Sequence, residues 1–331
     1  RDMPGVSAKG DKEINMYTLL APHAPTPLHI PDGFLSLVVS LICWAMTVIT
    51  LSAAISRTNK SLGEKQVPLM GIMAAFIFAA QMINFPVAGG TSGHLLGGAL
   101  AAIVLGPWAG MLVMTAVIAV QALLIQDGGL LVMGANILNM GLLTAAIGYG
   151  LYRSVVGSSR RVKLAVAGVA AWLSVMAGAL ATALQLWLSG TSSLQTVVIA
   201  MLGVHTLIGI GEALITVAAL AFILRTRPDL LGEKSVSAQG GRGWILAGIL
   251  ISLIVVLLSP FASTNPDGLE RVAGDLGFLG SARSAPYEII PDYTVPLLGE
   301  TALSTIVAGI IGALVVLGIA ILAGRSLQKK S

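Results

Sequence analysis

From Phe34 onward the chain is a succession of long apolar runs separated by short polar loops, and that pattern decides the fold class. The runs cover about 34–56, 68–85, 94–107, 109–125, 128–152, 164–188, 195–224, 244–260 and 300–323. A helix needs about 20 apolar residues to cross a bilayer, and all but 94–107 come near that length. The runs do not alternate as barrel strands do, so they are helices. Only 10% of residues are charged and 56% are hydrophobic, whereas soluble domains carry roughly 25% charged residues. The chain is read as an all-α integral membrane protein of nine helices, with Gly106-Pro107 separating the third from the fourth. The lone Cys43 excludes an internal disulfide, and the twelve methionines read as core filler.

The basic residues orient this array. Arg57, Lys60 and Lys65 follow the first run, and Arg153, Arg160, Arg161 and Lys163 the fifth. Arg225, Arg227, Lys234 and Arg242 follow the seventh, and Arg325, Lys329 and Lys330 the ninth. Nine alternating helices put all four clusters, fourteen of the nineteen Lys and Arg, on one side, which is the cytoplasm by the positive-inside rule. The N-terminal end then lies outside and the C-terminus in the cytoplasm of a multi-pass cell (inner or plasma) membrane protein. A net charge of +4 reflects these loops and implies no nucleic acid partner.

Four units follow. Residues 1–27 are polar and proline-rich, lack the pattern of a secretory signal, and are read as a leader or tag. Residues 28–225 form a seven-helix unit, and 226–243 a glycine- and serine-rich cytoplasmic linker. Residues 244–331 form a two-helix unit with a long acidic outer loop, 261–299.

The outer face is where chemistry is expected. His29 lies between Pro27 and Pro31, which disfavour helix around it. His94 ends the glycine-rich stretch Gly89-Gly90-Thr91-Ser92-Gly93. Each is either a hydrogen-bonded loop residue or a metal ligand. Only four histidines exist, and two of them converge on one face. No HExxH and no carboxylate pair near either histidine is evident, which argues against a zinc hydrolase. Nitrogen-only ligation favours Ni²⁺ or Cu²⁺ in square-planar geometry. Asp127, in an outer turn, reads as a solvated turn residue, with electrostatic attraction of cations as the alternative. His205 and Glu212, seven apart on one helix face, form either an interhelical hydrogen-bonding pair or a coupling relay. Asn84, Gln81, Asn136 and Asn139 are candidates for supporting the site or for packing, with Asn84 the best placed. No GxxxxGK[ST] occurs, so an ATPase activity of its own is not expected.

His29-Ile30-Pro31-Asp32-Gly33-Phe34-Leu35-Ser36, Asn84-Phe85-Pro86 leading into Gly89 to Gly98, and Gly203-Val204-His205 through Gly211-Glu212-Ala213 occur in that order. Together they resemble the nickel/cobalt substrate-binding subunit (NikM/CbiM family) of energy-coupling factor (ECF) transporters. Asn265-Pro266-Asp267-Gly268-Leu269-Glu270 resembles the small PDGLE (CbiN-like) partner subunit, here fused to the first. The resemblance implies a seven-helix S component that captures Ni²⁺, or Co²⁺, for a transmembrane coupling subunit and cytoplasmic ATPase subunits. It also implies metal ligation by the amine and amide nitrogens at Leu28 and His29, the His29 ring and the His94 ring. Thr91, Ser92, Asn84, His205 and Glu212 then become supporting or coupling residues.

An amine at Leu28 requires that nothing precede it, yet 27 residues do. Translation starting at position 28 or proteolytic removal of the leader would meet that requirement, and the first is preferred; alternatively the site differs and His23 supplies a ligand in place of the amine. The rival functions are a stand-alone secondary metal permease and an intramembrane enzyme built on His205 and Glu212.

Overall fold

The computed structural model describes residues 29–59, 62–63, 66–231 and 243–328. Leu28, His23, the leader and most of the linker lie outside the described residues, as do Lys60, Lys65, Lys234, Arg242, Lys329 and Lys330. Among the described residues six helices are long and apolar enough to cross a membrane. They are α1 (Leu37–Thr58), α4 (Pro107–Val120, extended by a π-helical turn to Ile125), α7 (Arg160–Leu188), α8 (Leu194–Thr226), α9 (Gly243–Leu258, extended to Phe261) and α11 (Ala302–Leu327). Between them lie α2 (Gln66–Gln81), α3 (Gly98–Leu105), α5 (Met133–Asn136) and α6 (Thr144–Tyr152), with α5 and α6 joined by the π-helical stretch Ile137–Leu143. A two-stranded hairpin, β1 (Phe85–Val87) and β2 (Thr91–Gly93), and the amphipathic α10 (Gly268–Asp275) complete the set that positions the site. The chain is an all-α membrane protein, as expected.

Two runs depart from their expected form. Helix α3 has eight residues, about 12 Å at 1.5 Å per residue, too short to cross the roughly 30 Å apolar layer. All eight are buried. The run expected at 94–107 fails to be helical over 94–97 because Gly97 takes a left-handed φ of 82° and the amides of Leu96 and Gly97 bond to Glu212 instead of opening a helix. Irregular backbone in a membrane protein is tolerated where protein surrounds it. The run expected from 128 likewise begins at Met133, because the Asp32 carboxylate accepts from the amides of Leu130, Leu131 and Val132 at 3.0, 2.9 and 3.2 Å.

The C-terminal pair does not stand apart from the bundle. Helix α2 is enclosed by it: Gly312 faces the Phe78 ring, Gly309 the end of Met82, and Gly248 the Ile72 side chain. Glycines at these contacts let helix axes approach closely where lipid gives no hydrophobic drive to pack.

The loops gather at one end. Thr191 Oγ1 donates to Phe34 O at 2.5 Å, Ser263 N to Asn84 O at 2.7 Å, Arg283 N to Asp32 O at 2.7 Å, and Ile290 N to Leu124 O at 3.2 Å. At the other end Arg57 lies 6.0 Å from the Trp108 ring centre and Arg227 5.0 Å from that of Trp244.

Candidate metal site

His29 is fixed by its neighbours in the motif. Ile30 N donates to Asn136 Oδ1 at 3.1 Å, and Asn136 Nδ2 donates back to Ile30 O at 3.0 Å. The side-chain amide thus pairs with the backbone as a neighbouring strand would. Gly129 N adds a bond to Ile30 O at 2.9 Å. With Asp32 holding the amides of 130–132, the segment 29–33 is locked to the start of α5. His29 is 2% exposed.

His94 follows β2 on the segment that Glu212 organises. The Glu212 carboxylate, fully buried on α8, accepts from Leu96 N at 2.6 Å and Gly97 N at 3.0 Å. Gln81 Nε2 donates to Leu96 O at 2.8 Å. His94 Nδ1 lies 3.0 Å from Leu95 O. A bond to a carbonyl needs a donor, so Nδ1 carries the proton and Nε2 presents a lone pair. Burial first, and the adjacent His29 ring second, lower the His94 pKa to about 4, which keeps the ring neutral.

The two rings meet edge to face with centres 5.5 Å apart. Metal–nitrogen bonds of about 2 Å would let one ion touch both. They open on a cavity of about 70 Å³ that His205, Asn136, Asn139 and Asp267 also line. His29 Nδ1 lies 3.2 Å from Asp127 O and 3.5 Å from Asp127 Oδ1, while its Nε2 is buried without a hydrogen-bond partner. A chelate through the residue's own amide must use Nδ1, so an ion bound that way displaces the contact with Asp127. Among the described residues no group of three or more His, Cys, Asp or Glu is placed to hold a metal. Further ligands to an ion held between the rings would come from backbone groups, from the amide or carboxylate side chains of the cavity wall, or from outside the described residues, where Leu28 lies.

The remaining candidates sort differently from the sequence expectation. Glu212 reaches the His94 segment rather than His205. His205 bonds within its own helix, Nδ1 to Met201 O at 2.8 Å, and its ring forms part of the cavity wall. Ser92 serves the C-terminal unit: its Oγ donates to Asn265 O and its N to Pro266 O, both at 2.8 Å. Thr91 is buried opposite Val87 in the hairpin. Asn136, not Asn84, is the asparagine tied to the His29 segment. Asp127 is 3% exposed, not a solvated turn residue. It and Asp267 correct the expectation that no pair of carboxylates stands near either histidine: Asp127 Oδ1 is 3.5 Å from His29 Nδ1, and Asp267 lines the cavity beside both rings. Both were hidden because 98 and 238 positions separate them from His29 in the chain.

The PDGLE stretch closes over the cavity. Asp267 caps α10, accepting from Glu270 N at 2.7 Å. A Cβ on Gly268 would lie 2.8 Å from His205 Cε1 and 2.7 Å from Ile208 Cδ1, so glycine is required there for space. Gly268→Val is expected to undock α10, lowering the melting temperature and speeding loss of any metal ion held in the cavity; unchanged thermal unfolding and unchanged release would contradict this close approach.

Burial raises the Asp267 pKa to about 8. Its folded-state value therefore exceeds the ordinary 3.8, and the stability it contributes is complete below pH 3.8 and is lost as pH rises through about 8. Asp267→Asn keeps an N-cap acceptor and cannot ionise. It is expected to flatten the fall in melting temperature across that window, and an unaltered slope would count against it.

Residues 29–230 match the family described as cobalt uptake substrate-specific transmembrane region, and 242–329 match the PDGLE domain. The fused nickel transport protein NikMN of Rhodobacter capsulatus is 30% identical over 92% of this chain and 100% of its own length. A NikMN-type fused protein of Archaeoglobus fulgidus is 35% identical over 88% of this chain and 96% of that protein. The crystal structure of a truncated transition metal transporter, 35% identical, superposes with a TM-score of 0.54 over 60% of this chain and 98% of that one. The chain therefore belongs to the cobalt uptake substrate-specific transmembrane family, with a PDGLE domain joined to its C-terminal end.

Proposed function

We propose that the chain is the substrate-specific membrane component of an ECF-type transporter, which captures Ni²⁺, or Co²⁺, at the outer face of the cell membrane. The observation that carries this is the meeting of His29 and His94, buried and 5.5 Å apart, at the end of a helical bundle where the loops converge. The nickel and cobalt transport proteins among its relatives point to the same cargo. The end bearing Arg57 and Arg227 faces the cytoplasm on the positive-inside rule. This leaves the histidines and the C-terminal unit's loop outside and the C-terminus inside. Residues 28–225 are the capture unit, 226–243 the linker and 244–331 the unit that closes the cavity.

The ligands in this reading are the amine and amide nitrogens at Leu28 and His29 and the two rings. Four nitrogens suit a square-planar d⁸ ion, which favours Ni²⁺ over Co²⁺. Metal-loaded protein from the native host is expected to begin at residue 28, and an intact 1–27 on loaded protein would overturn the amine ligand.

Import then depends on a transmembrane coupling subunit and cytoplasmic ATPase subunits. The test is nickel uptake by cells with and without those subunits, alongside equilibrium binding to the purified chain. Tight binding by the chain alone with uptake only in their presence is expected. Uptake without them would make the chain a secondary permease.

A further inference from the structure

Beside the histidine cavity lies a second and much larger space. A chamber of about 1220 Å³ opens between the bundle and the loop of the C-terminal unit, and Asn84, Asp127, Ser259, Glu270, Glu288 and Asp292 are among its walls. Three of these residues bring a buried oxygen with no hydrogen-bond partner: Asn84 Oδ1, Asp127 Oδ1 and Ser259 Oγ. Asp127 and Ser259 are each 3% exposed. Of the described basic residues only Arg283 lines the chamber, against four carboxylates. The negative charges of Asp127 and Glu270 both act on Asp292, whose pKa rises to about 6 behind the larger effect of burial. Like charges held together in a part-buried space favour a cation among them.

Asp127 stands where the two spaces adjoin. Its Oδ1 is 3.5 Å from His29 Nδ1, and its Oδ2 is 3.4 Å from the Tyr293 hydroxyl, which Gln121 Nε2 also approaches at 3.3 Å. Tyr293 is held there on strained backbone, since it and Asp292 both take left-handed φ values of 55° and 46°. The C-terminal unit thus braces the carboxylate that faces the metal ligand.

We propose that this chamber is a transit site where oxygen ligands hold an incoming, still partly hydrated divalent cation, and that Asp127 passes the ion to the His29 ring. The proposal rests on the reading of His29 and His94 as the capture site. Carboxylate, amide and hydroxyl oxygens suit an ion that keeps several waters. Imidazole and backbone nitrogens bind Ni²⁺ more strongly, so the ion moves down an affinity gradient by exchanging oxygen for nitrogen. A carboxylate-walled chamber also raises the local cation concentration and with it the capture rate.

The test is stopped-flow loading of Ni²⁺ into the full-length chain, run at several ionic strengths, with Kd measured at equilibrium. The double variant Glu270→Gln, Asp292→Asn is expected to load about tenfold more slowly and to lose most of the salt dependence of loading. Release should slow in step, leaving Kd unchanged. Asp127→Asn is expected to load more slowly still. Wild-type loading rates and salt dependence in the double variant would overturn the proposal and leave the chamber as one that holds water only. A weaker Kd with an unchanged loading rate would overturn it too. If the wild-type chain fails to bind nickel tightly, the capture-site reading itself falls, a result distinct from either.

Discussion

His94→Ala is expected to abolish tight nickel binding while leaving the fold intact. Changes to residues that merely orient a metal ligand cost about 10- to 100-fold in affinity, so loss of a ligand costs more than about 100-fold. The fold should tolerate the change because the ring's hydrogen bond goes to the adjacent residue, Leu95 O, and no distant element depends on it. Calorimetric titration with Ni²⁺, paired with thermal unfolding, separates the two effects. An affinity within about tenfold of wild type, a difference of about 1.4 kcal/mol, would remove His94 from the site.

Glu212→Ala is expected to weaken nickel binding without touching the metal. The carboxylate accepts two amides, Leu96 N and Gly97 N, in a fully buried setting. Removing it orphans both donors at about 1–3 kcal/mol each. The segment that presents His94 is the part free to respond, so it should leave its position, with a loss of about tenfold for each 1.4 kcal/mol. Glu212→Gln keeps one acceptor and should fall between alanine and wild type. If Glu212 served a relay with His205 instead, His205→Ala would match it in uptake and neither would alter nickel affinity.

These two residues show how far the sequence could be read. The apolar runs were legible because membrane crossing demands length and apolarity, signals carried by the composition of each window. His29 and His94 were legible because few histidines exist and both lie beside proline or glycine in short loops. Glu212 was visible as a buried charge, but its partner was not. A carboxylate that binds backbone amides 115 and 116 positions away leaves no trace in the identity of the residues it holds. Asp32 is a similar case: its contacts with the amides of 130–132 delay α5, and nothing in Leu130, Leu131 or Val132 announces them.

The C-terminal unit hid more. Its motif was visible, but its docking on α2 and over the cavity depends on surfaces assembled from distant parts of the chain. Asp127 is buried between that unit's Tyr293 and the His29 segment. Taken alone, Gln126-Asp127-Gly128 has the polar, glycine-bearing look of an exposed turn. Gly268 likewise reads as turn punctuation, yet it is there because the His205 ring leaves no room for a side chain.

The most direct test of the central claim is anomalous diffraction at the nickel edge from crystals of the loaded full-length chain. One peak within bonding distance of both the His29 and His94 rings, with nitrogen atoms completing its coordination, is the expected result. A peak seated elsewhere, or a nickel ion that contacts neither ring, would contradict it.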